Sequence, residues 1–362
     1  MYKRVAIAYN EPYPSRYDKV GEERAVLGVL DTVTTVHQAL LELSYDVTRF
    51  PLAPPLKSTE RRLSSLDVDL VFNLFEGFCG QPETEAIVPE ALSELGIPCT
   101  GCPGTVLRLA LDKAKVKVLL KAAGIPTPDF QLINPQIMHM FRLGYPCIVK
   151  PRSEDASHGL SETSVVTDLA SLEKQVRLIS VSYDGCAIVE KFIDGREFNA
   201  TVLGNSRTTV LPASEIVYSL PHEKPRILTF AAKWEPDSQY YKETQVVCPA
   251  QISDEEHKLI DETALAAFQL LGCQGYARVD MRMDKAGRLN VIEVNPNSDI
   301  SSDAGAARQA KAAGMNYTQF IDKIVQLALE KQTYGNQNSP HVKKRQASPD
   351  ANTERYARVQ AI

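Results

Sequence analysis

The stretch LNVIEVNPNS, residues 289–298, sets Glu293 and Asn295 in an apolar run that stops at Pro296. Alternate side chains of a strand face the same way, so Glu293 and Asn295 share one face. Upstream, YARVDMRM reads as a neighbouring strand carrying Asp280, and DKAG, residues 284–287, is the turn between the two. Asp280, Glu293 and Asn295 together offer three hard oxygen donors, a set suited to Mg²⁺ rather than zinc. The plain alternative is a strand end whose two polar residues face water. Mg²⁺ commonly takes substrate phosphates as further ligands, so the metal reading points to a nucleoside triphosphate and phosphoryl transfer.

A chain of 362 residues is long enough for two or three domains, and its 44% hydrophobic content is that of an ordinary globular protein. A net charge of -5 gives no reason to expect nucleic acid as a partner. No apolar run reaches membrane-spanning length, and KRVAIAY at residues 3–9 reads as a first strand rather than a signal peptide. The seven cysteines, with Cys79, Cys99 and Cys102 loosely clustered, read as reduced thiols of a cytoplasmic protein rather than a disulfide framework or zinc site.

Residues 3–9, a helix over roughly 25–44, the strand YDVTRFPL, the strand VDLVFNLFEG and the helix ETEAIVPEALSELG form a βαβ rhythm. That rhythm indicates an α/β unit with a parallel sheet over residues 1–103. No GxGxxG follows the first strand, which argues against a nicotinamide cofactor. A second unit, 104–187, opens with LALDKAKVKVLLKAAG, read as one amphipathic helix, and a third, 188–330, holds NATVLGN, TQVVCPA, the metal strands and a last helix at about 315–330. Residues 331–362 are polar, with six Lys/Arg against two Asp/Glu, and read as a mobile basic tail.

Lys150 ends the apolar strand CIVK and enters PRSEDASHG, so it is placed to meet phosphate oxygens while Ser157, His158 and Gly159 donate from the loop. Lys113 follows Asp112 on a helix and can approach from the other side; alone it would read as a solvated lysine. Glu190 and Lys191 end the strand AIVEK, and Glu197 follows the turn at Asp194–Gly195; a carboxylate there suits a ribose diol, although alone Glu197 reads as a surface charge. Arg278 shares the face of Asp280 and can offset charge on a reacting acyl group, or simply pair with Glu293.

The order LALDKAK, GYPCIVKP, HGLS, VEKFIDGREF, AAKW, GYARVDMRM and VIEVNPN resembles the ATP-grasp superfamily and is most similar to the D-alanine–D-alanine ligases over roughly residues 1–330. The resemblance implies an ATP-grasp fold, α/β and α+β, behind an N-terminal parallel-sheet domain. It implies ATP held by Lys113, Lys150, the Ser157–His158–Gly159 loop, Glu190, the backbone at Lys191–Phe192, and Glu197, with Lys233 at the γ-phosphate. It further implies two Mg²⁺ ions, replaceable by Mn²⁺, on Asp280, Glu293 and Asn295, and Arg278 beside the acyl group. Lys233 and Ser157 accompany Arg278 at the reacting centre. The implied activity is an ATP-dependent carboxylate–amine ligase working through an acyl phosphate, with a place in peptidoglycan synthesis and a homodimeric assembly.

The substrate end departs from that family. Glu76–Gly77 stands where the family carries His-Gly, and Gln81–Pro82 replaces an acidic pair. Pro296–Asn297–Ser298–Asp299 replaces a small-residue turn, with Asp299 at the family's glycine. A carboxylate there repels a substrate carboxylate or attracts an ammonium group. Glu23 in GEERAVLG is the counterpart of the glutamate that meets the first substrate's ammonium. Substrate contacts are therefore expected from Glu23, Glu76, Arg278, Asn297, Ser298 and Asp299. Three readings stay open: a D-alanine–D-alanine ligase, a ligase for another amino acid or small carboxylate and amine, and a non-catalytic ATP binder.

Overall fold

The computed structural model describes residues 3–11, 13, 28–183 and 185–338, the stretch 331–338 as backbone only. Its N-terminal sheet is parallel, with β1 (Arg4–Asn10), β2 (Asp46–Leu52) and β3 (Leu70–Leu74) in the order β2-β1-β3. α1 (Val29–Glu42) crosses from β1 to β2 and buries Val33, Val36 and Leu40. α2 (Leu56–Ser64) and α3 (Ile87–Leu95) cover the other face, where Ala6 and Ala8 of β1 meet Leu63, Val88 and Leu92. Coverage on both faces is why β1 is apolar without alternation.

The helix expected as one piece from 109 to 123 is two, α4 (Gly104–Leu111) and α5 (Lys113–Ala122). Asp112 between them has ψ 88°, outside the helical range, and its carboxylate accepts from Lys115 N at 3.2 Å. Arg152 grips the same carboxylate at 3.0 and 2.6 Å. Side-chain capping thus restarts the helix and puts Lys113 in its first turn.

The central sheet is antiparallel. β4 (Phe130–Ile133), β5 (Cys147–Pro151), β6 (Val165–Val166) and β7 (Ala187–Lys191) lie in the order β4-β7-β5-β6, backed by α6 (Leu169–Ser182). Because β7 is hydrogen-bonded between β4 and β5, the central unit runs past the expected boundary at residue 187, to Lys191. The crossing at Gly195 is close: a Cβ there would sit 1.9 Å from the Met283 carbonyl oxygen, so only glycine fits.

The third sheet holds β8 (Arg196–Gly204), β9 (Thr208–Val210), β10 (Ser214–Tyr218), β11 (Thr244–Val247), β12 (Gly275–Met283) and β13 (Leu289–Asn295). Its order is β11-β10-β8-β12-β13, with β9 on β8. Between β10 and β11 come the short helices α7 (Phe230–Trp234) and α8 (Gln239–Lys242), and α9 (Asp254–Leu270) starts at a reciprocal Ser253–Glu256 cap and packs on the sheet. Val106, Leu107, Val116 and Leu120 of α4 and α5 join that core, so the start of the expected second unit is built onto the third.

After α10 (Gly305–Ala312), α11 (Tyr317–Asn338) returns to the first sheet, where Phe320, Ile321 and Ile324 share a core with Val5, Ile7 and Phe72. It runs eight residues into the segment read as a tail, from 331 to 338. No described helix is long and apolar enough to cross a membrane. Cys99 and Cys102 stand at the C-x-x-C spacing used by redox and zinc pairs, yet all seven cysteines are free thiols, and the Cys102 thiol donates to the Gln274 carbonyl at 3.1 Å.

Candidate active site

β12 and β13 pair antiparallel, with Asp280 opposite Glu293 and Arg278 opposite Asn295. The period-two reading therefore holds in space: four functional groups share one sheet face. Asn295 Nδ2 donates to Asp280 Oδ2 at 3.0 Å. Arg278 does not pair with Glu293 as the plain reading had it. It forks onto Asp280, Nε to Oδ1 at 2.7 Å and Nη2 to Oδ2 at 2.8 Å, because residues two apart on one strand face lie side by side.

Glu293 is taken by Lys113, whose Nζ lies 2.6 Å from Oε1. Burial opposes the lysine charge, yet Glu293 and Asp155 hold Lys113 above the ordinary lysine range. Burial likewise opposes the Glu293 charge, while Lys113 and the field of Lys150 and Lys233 hold it below the usual carboxylate range. Glu293 Oε1 is buried, and no donor is aligned for a hydrogen bond to it despite the nearby ammonium. Two carboxylates and one amide on one face make a hard-oxygen set that fits Mg²⁺. No cluster of three or more His, Cys, Asp and Glu with metal-site geometry occurs among the described residues.

Above this face lies the loop after β5. Ala156 and Ser157 are left-handed at φ 51° and 64°, strained for residues with a Cβ. Three anchors hold them there. Ser157 Oγ donates to Leu228 O at 2.9 Å, Trp234 Nε1 donates to Ala156 O at 3.2 Å, and Lys113 Nζ donates to Glu154 O. Gly159 at φ 74° is closely overlaid by Pro151 and Tyr183, and His158 is buried against Phe230. Lys233 on α7 lines the same cleft, and burial and then Arg278 push it below the usual lysine range.

On the central sheet, opposite Ile148, Glu190 is sealed in. Its Oε2 lies 3.2 Å from Lys117 Nζ and 3.4 Å from Lys150 Nζ, and its Oε1 has no hydrogen-bond partner among the described residues. Lys117 also donates to Thr127 Oγ1 at 3.1 Å and Ile292 O at 3.2 Å. Burial pushes Lys117 down to about 8, with Glu190 working the other way. Burial opposes the Glu190 charge, and Lys117 and Lys150 hold it below the carboxylate range. The amides of Lys191 and Phe192 are already engaged by Asp129 O and Pro146 O. Glu197 lines the cleft, held by Tyr218 OH at 2.7 Å and Arg282 Nη2 at 3.1 Å.

Arg278, Asp280, Asn295, Lys233, Glu197, Asp155, Ala156 and His158 line one cleft of about 750 Å³. Glu76, Asn297, Ser298 and Asp299 line its other end. Glu23 lies outside the described residues. Sequence reasoning missed Lys117, which looked like any helix lysine, and Glu85, whose Oε1 accepts from Asn297 Nδ2 at 2.5 Å in the substrate end. Burial, then Asp155, pushes Glu85 up to about 8.

The family model described as D-ala D-ala ligase C-terminus matches residues 119–326. A Sinorhizobium fredii protein described as uncharacterized is 32% identical over 334 residues, 91% of this chain and 94% of its own length. The D-alanine–D-alanine ligase of Actinobacillus pleuropneumoniae serotype 5b is 28% identical over 321 residues, 85% of this chain and 95% of its own. The crystal structure of the Bacillus anthracis D-alanine–D-alanine ligase superposes with a TM-score of 0.73 at 21% identity, over 92% of this chain and all of that one, which establishes the shared fold.

Proposed function

Because this chain belongs to the D-alanine–D-alanine ligase family of ATP-dependent ligases, we propose that it joins an amino-acid carboxylate to an amine at the expense of ATP, in the manner of those ligases. The observation that carries this is the meeting of Lys113 with Glu293, opposite Asp280 and beside Arg278, under the loop after β5. Triphosphate binding needs cations and in-line transfer needs a group that fixes the acyl end, and Lys113 and Arg278 suit those two tasks.

The substrate carboxylate attacks the γ-phosphorus of ATP, giving an acyl phosphate and ADP. The amine then attacks the activated carbonyl, and the tetrahedral intermediate collapses to an amide and phosphate. Lys113, Lys150 and Lys233 stabilise phosphate charge, with Ser157, His158 and Gly159 above. Arg278, held rigid by Asp280, faces the oxyanion of the tetrahedral intermediate. Glu197 takes the ribose, and Glu190, fixed by Lys117 and Lys150, frames the adenine end beside Lys191 and Phe192. Asp280, Glu293 and Asn295 are the residues that would hold Mg²⁺, one or two ions, which supplies positive charge beside the phosphate oxygens. The loop excludes water that would hydrolyse the acyl phosphate. No protein nucleophile is required.

A cytoplasmic homodimer serving peptidoglycan synthesis is the setting this reading implies. The substrate end favours a second reading, a ligase of the same mechanism for a different amine, since Glu76, Glu85 and Asp299 make it acidic. The deciding experiment is Mg²⁺-dependent phosphate release from ATP across D- and L-amino acids, with products identified by mass. D-alanyl-D-alanine as the main product supports the first reading, another amide supports the second, and no phosphate release with any pair would overturn both.

A further inference from the structure

Beyond Arg278 the cleft ends in three carboxylates on three different segments. Glu76 follows β3, Glu85 precedes α3, and Asp299 follows β13. Among the described residues no lysine, arginine or histidine is paired with any of them. Arg278 forks onto Asp280, and Arg308, which lines the same cleft, donates to the Asp303 carbonyl and keeps a buried Nε without a hydrogen-bond partner among the described residues. A small hollow of about 20 Å³, room for one water-sized group, opens between Glu76, Tyr276, Ser298 and Asp299.

Ser298 gives an independent sign that something belongs there. It is 6% exposed, it lines the hollow, and its Oγ has no hydrogen-bond partner among the described residues. A buried hydroxyl is seldom left unpaired unless a ligand or water completes it. Asp299 Oδ1 is fixed by Ser301 N at 2.8 Å and Ser301 Oγ at 2.7 Å, which orients the carboxylate and leaves its other oxygen for a ligand.

A primary ammonium has three donors, and Glu76, Asp299 and Ser298 Oγ supply three acceptors. A water molecule would satisfy the hydroxyl alone, whereas an ammonium also brings the positive charge that Glu76 and Asp299 attract. The α-ammonium of a plain amino acid would bring its own carboxylate against Glu76 and Asp299, whereas an ammonium at the end of a side chain would not. We propose that the hollow receives a second ammonium group of the substrate, so that this ligase prefers a diamino acid to alanine. The inference rests on the ligase reading for its reaction, but its binding claim stands separately.

The test is calorimetric binding to the full-length protein with Mg²⁺ and a non-hydrolysable ATP analogue. The probes are the D and L forms of 2,4-diaminobutyrate and ornithine against norvaline and alanine. A diamino acid is expected to bind about tenfold tighter than its neutral counterpart, the scale of a charge-assisted contact. E76Q and D299N should each reduce that preference about fivefold or more, with affinity for the ATP analogue unchanged. Equal affinities, a preference for the neutral probes, or no binding by any probe would overturn the proposal, and the wild-type comparison decides even if a variant fails to fold. Phosphate release over the same panel separates the two ideas. Turnover confined to alanine keeps the ligase reading and overturns this one. Tight diamino-acid binding without turnover keeps the hollow and overturns the ligase reading.

Discussion

Lys117 Nζ lies 3.2 Å from Glu190 Oε2, and each side chain is 1% exposed. The pair ties α5 to β7 across the boundary between the central and third units, and the Ile292 carbonyl on β13 joins it. Removing Lys117 leaves the fully buried Glu190 charge with Lys150 alone, 3.4 Å away, and so only partly compensated. Lys117→Met is therefore expected to destabilise the protein by about 3 kcal/mol, read from urea denaturation midpoints. Adding Glu190→Gln should cost less than the two single losses summed, because the contact is already broken. Equal, additive losses would show that the two side chains do not act as a pair.

Glu293 is the one carboxylate that meets Lys113 and also faces Asp280. Glu293→Gln keeps shape and a carbonyl oxygen but removes the charge. Phosphate release is expected to fall about a hundredfold or more, with the far-ultraviolet spectrum unchanged. A variant retaining near-wild-type turnover would remove Glu293 from the phosphate and metal site.

Much of this site was legible because its logic is local. Asp280, Glu293 and Asn295 are positioned by strand period and a four-residue turn, and that pattern is written in consecutive residues. Lys117 was not legible, since KAKVKVLLKA looks like a helix with a wet face. Its burial is made by the Ile292 carbonyl, 175 positions away. Glu85 was hidden likewise, because what turns it into the cleft wall is Asn297, 212 positions on. The break at Asp112 did leave a signal, a helix-capping residue in mid-pattern, but periodicity on both sides concealed it. The extent of the central unit failed for a topological reason: β7 is next to β8 in sequence yet pairs with β4 and β5.

Arg278 offers two parallel hydrogen bonds to Asp280. Lysine keeps the charge and loses the fork. Arg278→Lys is expected to lower kcat about a hundredfold while ATP affinity stays within about twofold, because the group acts on the acyl centre and not on the nucleotide. Single-turnover kinetics would separate the two, and an equal loss in ATP affinity would reassign Arg278 to the phosphates.

Glu85 carries a pH dependence whose sign follows from its surroundings. Burial comes first, then Asp155, with Glu76 and Cys102 also facing it, and together they outweigh the Asn297 hydrogen bond and raise Glu85 from 4.5 to about 8. The folded protein therefore keeps this proton over a range in which the unfolded chain has released it. More protons bound in the folded state means that stability falls as pH rises from about 4.5 to 8. Glu85→Gln stays neutral throughout and keeps an oxygen for Asn297. Its melting temperature should match the wild type near pH 4.5 and exceed it by about 2 to 4 °C at pH 8. Glu76 is present in both proteins, so its own titration cancels to first order in the comparison. A difference that is constant with pH would show that Glu85 is already ionised in the folded cleft, and one that shrinks as pH rises would reverse the assigned direction.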